Sequence, residues 1–132
     1  MARVVFDANV IIALYEDTDV HHSWAVDCFT LLQAHDFVLS PLTYAEVLVS
    51  PEREKVAAKF VKNISRMDLE ITTLGIEHAH DLASVRVETK LRMPDAVVLQ
   101  TAIERDAAIA TTDSQLAKAA RERGIPVYQP EG

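Results

Sequence analysis

Apolar residues run through Val4-Val5-Phe6, are interrupted by the polar Asp7 and Asn9, and resume at Val10-Ile11-Ile12. The first run predicts a buried strand over residues 3–7 and the second a helix to about Tyr15. Glu16–Asp19 is a polar connection. From His21 to His35, Trp24, Cys28, Leu31 and Leu32 recur at helical spacing. Phe37-Val38-Leu39 is the core of a second strand over 36–40. Ser40-Pro41 has the chemistry of a helix cap and first turn, predicting a helix over Leu42–Val49. Ser50-Pro51 repeats the device, predicting a new helix with Val56, Phe60, Ile64 and Met67 as its apolar stripe.

Leu69–Thr72 reads as a third strand. A helix follows from Gly75 to about Lys90, with Ile76, Ala79, Leu82 and Ala83 inward. Pro94 opens a helix to Arg105 that is apolar nearly all round at Ala96–Leu99, the mark of a central helix. Ala107–Thr111 is a buried strand, and Asp113 caps a helix over Ser114–Arg123 that Gly124 ends. Val127-Tyr128 adds a short edge strand. Strands alternating with helices imply a parallel sheet covered on both faces, hence a three-layer α/β/α sandwich. No repeat, linker or low-complexity segment divides the 132 residues, so they read as one domain.

Composition refines this picture. Apolar residues make up 49% of the chain and aromatic ones only 6%, so the core is aliphatic. With 3 Gly and 5 Pro, the chain does not read as disordered or loop-rich. Cys28 is the only cysteine, which excludes an internal disulfide framework and suits a reducing compartment. Neither a secretory leader nor a bilayer-length apolar run is visible, so the expectation is a soluble cytoplasmic protein. The net charge of −7 disfavours nonspecific nucleic-acid binding. Placing four carboxylates on metal ions would cancel more than half of it and leave room for a local basic patch.

The acids carry the candidate chemistry. Ligands of open parallel sheets bind beyond the carboxyl ends of the strands, near the switch in strand order. Asp7 ends the first strand and Asp113 follows the strand Ala107–Thr111, so both belong at that end. Asp95 opens the helix after Pro94, and Glu46 lies mid-helix. Each alone has an ordinary explanation: Asp113 and Asp7 as helix caps, Asp95 as a partner of a helix dipole. Glu46 is harder to explain so. Its neighbours Ala45, Val47 and Leu48 point to burial, and no Lys or Arg lies within helical reach. Four converging acids would raise one another's pKa values unless a cation sat among them. All-oxygen ligation favours Mg²⁺ or Mn²⁺ over zinc.

The elements Val5-Phe6-Asp7-Ala8-Asn9-Val10, Thr43-Tyr44-Ala45-Glu46-Val47, Leu91-Arg92-Met93-Pro94-Asp95-Ala96 and Ala110-Thr111-Thr112-Asp113 resemble those of the PIN-domain family in order and spacing. The likeness spans nearly the whole chain and is greatest to VapC-type toxins of prokaryotic toxin–antitoxin pairs. It implies an endoribonuclease using one or two Mg²⁺ or Mn²⁺ ions, with Asp7, Glu46, Asp95 and Asp113 as metal-binding acids. Asn9, Thr43 and Thr111 match polar positions that support them. Leu116 stands where many relatives carry an aromatic residue, and Gln115 near a position where some carry a further acid, which bears on a second metal site. A homodimer and a small antitoxin are implied as well.

Among other residues, Lys90 and Arg92 closely precede Asp95 and are candidates to hold an RNA backbone, with Arg86 one turn earlier. Each is equally explained as solvated surface charge. His21-His22 reads as exposed, and His78 and His80 diverge on a helix, so neither pair chelates or acts on a 2′-hydroxyl. Tyr15, Trp24, Phe29, Phe60 and Val61 read as core, and any apolar excess on the first four helices would suit an amphipathic partner segment. The reading is therefore hydrolysis by a metal-activated water, leaving a 5′-phosphate and a 3′-hydroxyl. One rival is a non-catalytic PIN-like module that binds RNA or protein. Another is a haloacid-dehalogenase-type phosphatase, which needs a second Asp where this chain has Asn9. No Gly-rich phosphate loop is present, which excludes the common NTPase design.

Overall fold

A computed structural model describes residues 2–131. Five parallel strands form one sheet: β1 (Arg3–Phe6), β2 (Asp36–Leu39), β3 (Glu70–Ile71), β4 (Ala108–Ala110) and β5 (Val127–Tyr128), in the order β3-β2-β1-β4-β5. The helices are α1 (Ala8–Tyr15), α2 (His22–Leu31), α3 (Pro41–Arg53), α4 (Ala57–Ile64), α5 (Ala79–Thr89), α6 (Met93–Arg105) and α7 (Ser114–Glu122). The expected α/β sandwich is what forms.

Alternation in β1 feeds two cores. Val4 and Phe6 face a cluster with Val10, Ile11, Cys28, Phe29, Leu39 and Val47, and Val5 faces Val85, Val98, Leu99 and Leu116 on the other side. Phe6 stacks on Phe29 with ring centroids 4.4 Å apart, and Phe37 meets both edge-on. The short strands are thus held mostly by side-chain packing on two faces. α6 is buried without a break from Ala96 to Ala102, as a central helix must be.

Tyr15, Val56 and Val61, expected inward, are exposed, and four further local expectations fail for physical reasons. Pro51 does not start a helix. It is buried in the last turn of α3, and the break comes later, at Lys55 with φ of 62°. A proline there forfeits one amide bond near a helix end, where little helix remains to disrupt. Leu31 is 72% exposed and its neighbour Leu32 is buried, because α2 packs on the core by one face and successive helical positions point about 100° apart. Ile76 is 92% exposed because residues Ile76–His78 form a 3-10 turn, which shifts the phase of everything counted through it. Ala79 and Ala83 consequently face outward and Val85 inward. Finally, Ala45 is exposed, so the surroundings of Glu46 are half open and not largely buried.

The central position of β1 has a functional consequence. The chain leaves β1 toward β2 and β3, then crosses back to β4 and β5, so strand order reverses between β1 and β4. Their carboxyl ends flank the crevice where such sheets bind ligands. α3 also packs on α6, which carries residues of both helices to that crevice.

Candidate active site

Asp7 occupies the step from β1 to α1. Its amide donates to the Ala110 carbonyl at 2.9 Å, which locks the end of β1 to the end of β4. Asp7 stands at the N-cap position of α1 but its carboxylate does not cap the helix. That oxygen is used elsewhere: the Thr111 hydroxyl donates to Asp7 Oδ2 at 2.8 Å. Thr111 Oγ1 also accepts the Asp113 amide at 2.9 Å. The hydroxyl's one hydrogen is therefore committed to Asp7, and the two acids are coupled through a fully buried threonine.

Asp113 caps α7 as its sequence position suggests. Its Oδ1 accepts the amides of Gln115 at 2.8 Å and Leu116 at 3.2 Å. The cap does not take it away from the other acids: it lies past the carboxyl end of β4, and its charge reaches Asp7. Asp95 lies in the first turn of α6 and Glu46 in the middle of α3.

The electrostatics tie the four together. Burial raises the pKa of Asp7, the Thr111 hydroxyl and the Ala8 amide oppose the rise, and the charges of Asp113 and Glu46 add to it. Asp95 is pushed up to about 6, first by burial and then by Asp113 and Asp7, against a downward pull from Arg92. Glu46 is raised by burial and by Asp95, again opposed by Arg92. Asp7 enters none of the ion pairs found among the described residues. Glu46, whose own helix offers no cation nearer than Arg53 in the last turn, feels one from the start of α6.

An all-carboxylate set with a buried and uncompensated member is the donor chemistry of a hard divalent cation. Among the described residues, however, no three or more His, Cys, Asp or Glu side chains are gathered closely enough to hold a metal ion as they stand. The donors suit the ion in type, and the side chains of Glu46 and Asp95, which among the described residues have no hydrogen bonds like those that hold Asp7 and Asp113, are the ones that would have to turn to join it.

The supporting residues divide. Thr111 touches two acids. Thr43 is buried but its hydroxyl partners Ser40 Oγ at 3.1 Å, whose oxygen in turn accepts the Thr43 amide and caps α3. Ser40 thus organises the N-terminus of the helix that carries Glu46, a role legible in the Ser40-Pro41 pair. Asn9 is exposed on α1, one residue past Ala8. Arg86 donates to the Leu91 carbonyl at 2.8 Å, which ties the α5–α6 turn and occupies part of its guanidinium. Lys90 and Arg92 are exposed in that turn, and Arg92 is the cation that reaches the acids.

The sequence matches the family model described as the PIN domain over residues 4–122. None of the curated proteins matches it. Among solved structures, a toxin–antitoxin complex from Klebsiella pneumoniae is similar, with 25% identity and a TM-score of 0.71, covering 97% of this chain and 98% of that one. VapBC2 from Rickettsia felis, bound to a fragment of its promoter DNA, shares 16% identity with a TM-score of 0.72 over 96% of this chain and 98% of that one. The sarcin–ricin-loop-cleaving toxin VapC20 from Mycobacterium tuberculosis shares 14% identity with a TM-score of 0.70, over 88% and 94%.

Proposed function

We propose, from the premise that this chain belongs to the PIN-domain family, that it is the ribonuclease toxin of a toxin–antitoxin pair, using Mg²⁺ or Mn²⁺. One observation carries the reading. Asp7 and Asp113 lie at the carboxyl ends of β1 and β4, joined through Thr111, the charges of Glu46 and Asp95 bear on the same group, and Asp7 is in none of the ion pairs among the described residues. Such an arrangement costs stability in the empty protein and makes sense where a divalent cation is to be held.

Asp7, Glu46, Asp95 and Asp113 would hold one or two ions. When bound, the metal supplies a water made acidic enough to attack phosphorus at neutral pH and steadies charge on the leaving oxygen. The chain's own residues do the rest. Thr111 fixes the rotamer of Asp7 and keeps it an acceptor. Asp113, with one oxygen spent on the cap, is held rigid at the N-terminus of α7. Arg92 stands where a phosphate beside Asp95 would meet a guanidinium. The family's known members include toxins, and the VapC20 likeness supports RNA as substrate.

An antitoxin partner and a homodimer belong to the same proposal. An apolar groove lined by Ile12, Tyr15, Val47, Pro51, Val56 and Phe60 lies between α1, α3 and α4, and suits an amphipathic segment. No helix among the described residues is long and apolar enough to cross a membrane.

The test is cleavage of RNA by the purified chain. Asp7→Ala and Asp95→Asn should each abolish cleavage that EDTA also abolishes, with 5′-phosphate ends on the products. Activity that survives either substitution would end the proposal. Arg92 gives the non-catalytic reading its one support, since a cation beside an idle acid cluster would balance part of its charge. A calorimetric Mn²⁺ titration separates the two: saturable binding lost on Glu46→Gln favours the nuclease.

A further inference from the structure

A groove runs between the C-terminal end of α5 and the exposed side of α7, with Lys90 and Leu91 on one wall and Gln115 and Lys118 on the other. Its near end belongs to the candidate active site. The Gln115 amide donates to Asp113 Oδ1 at 2.8 Å, and Leu91 adjoins Arg92, the residue from which α6 and Asp95 begin. Leu91 is almost fully buried and gives the groove an apolar floor.

The two lysines face it from opposite walls. Lys118 follows Gln115 by three residues on α7, so the two side chains share a face, and Lys118 stands one turn further from Asp113. Lys90 closes α5 with φ of 62°, a left-handed backbone that disfavours any residue with a Cβ. Glu88 and Glu122 also line the groove. Glu88 is engaged by Arg123 at 3.1 Å, whereas Glu122, one turn past Lys118, has no basic partner among the ion pairs of the described residues. The positive stretch is therefore short, starts at the acids and stops at Glu122.

We propose that this groove carries the RNA strand away from the cleaved bond, with Lys90 and Lys118 each holding a backbone phosphate. The proposal rests on the ribonuclease reading and adds to it a path and a phosphate contact on α7, at Lys118. Phosphate binding of this kind positions the strand without reading its bases.

The experiment is a salt titration of binding. A fluorescently labelled single-stranded RNA is titrated with the Asp95→Asn chain, which should not turn it over, between about 50 and 200 mM salt. Removing one phosphate-binding lysine should flatten the slope of log K against log salt by about 0.7 for a single strand. Lys118→Gln should flatten it by one such step and Lys90→Gln/Lys118→Gln by two, while Lys62→Gln on exposed α4 leaves it unchanged. An unchanged slope in the double variant, or an equal flattening in Lys62→Gln, overturns the groove. Cleavage by the unsubstituted chain with Mg²⁺ is run in parallel. If that chain cleaves while the double variant keeps its slope, only the groove falls. If it neither cleaves nor binds RNA, both readings fall.

Discussion

The Thr111 hydroxyl has one hydrogen, and its acceptance of the Asp113 amide leaves Asp7 as the only place to send it. Thr111→Val keeps the shape and removes both bonds. It should destabilise the chain by about 1–3 kcal/mol, since a buried amide and a buried carboxylate each lose a partner. Metal affinity or cleavage should fall about 10–100-fold, and Thr111→Ser should restore much of both. Equal cleavage by wild type and Thr111→Val would show that Asp7 needs no such support. The direction of this relay is beyond sequence reading. The sequence places Thr111 in the right neighbourhood, but polarity depends on which donor reaches the oxygen first. The same holds for Thr43, whose expected tie to the acids goes to Ser40. Arg92 is equally hidden in the sequence. No cation lies within a helical turn of Glu46 along the chain, yet one reaches it across α6.

Asp95 makes a pH prediction at the same scale. Its pKa is about 6 in the fold and near the ordinary carboxylate range, about 3.9, when unfolded. Between those values the folded chain holds the proton more tightly, so metal-free stability falls as pH rises through that window and stays lower above it. Asp7 and Glu46 shift in the same direction. Asp95→Asn removes one such charge, so in EDTA it should melt higher than wild type at about pH 7.5 and show a smaller difference near pH 4. A lower melting temperature than wild type at pH 7.5 would mean that Asp95 is stabilising and not held at a cost.

Among the elements, α3 matters most for the site because it starts at a buried cap and carries Glu46 to α6. Ser40→Ala removes the acceptor of the Thr43 amide. It should cost about 0.5–2 kcal/mol, seen as a lower denaturant midpoint at unchanged slope. A midpoint within error of wild type would show that Pro41 alone suffices to set the first turn. How much of an element can be read in advance depends on what ends it. Ser40-Pro41, Asp113 and Gly124 are local chemical signals, and helices begin or end beside them as expected. Pro51 is the same signal misplaced, because its effect depends on how much helix remains after it. The inward placing of Ile76 and Leu31 rests on spacing alone, and spacing fails wherever a 3-10 turn or a helix end changes the phase. The alternation of strands and helices survives these local errors, because a parallel sheet needs only the order of elements and not their exact ends.

For the whole molecule, the acids set stability against readiness to bind. The chain carries a net charge of −7, and the raised carboxylates concentrate part of it at one crevice where they oppose folding. A cation bound only by the folded state reverses that penalty. By mass action it should add about 2.7 kcal/mol at a hundredfold excess over its Kd, observed as a rise in unfolding midpoint with Mn²⁺ concentration. Binding must displace the protons that the crevice retains, so the rise should be larger near pH 7.5 than near pH 5. Calorimetry in buffers of different ionisation enthalpy should register proton release around pH 6. Asp95→Asn should lose most of the Mn²⁺ effect while starting from a more stable empty protein, because the same charge both destabilises the one state and creates the other. A wild-type midpoint indifferent to Mn²⁺ at every pH would leave the acid cluster without its counter-ion and the nuclease proposal without its chemistry.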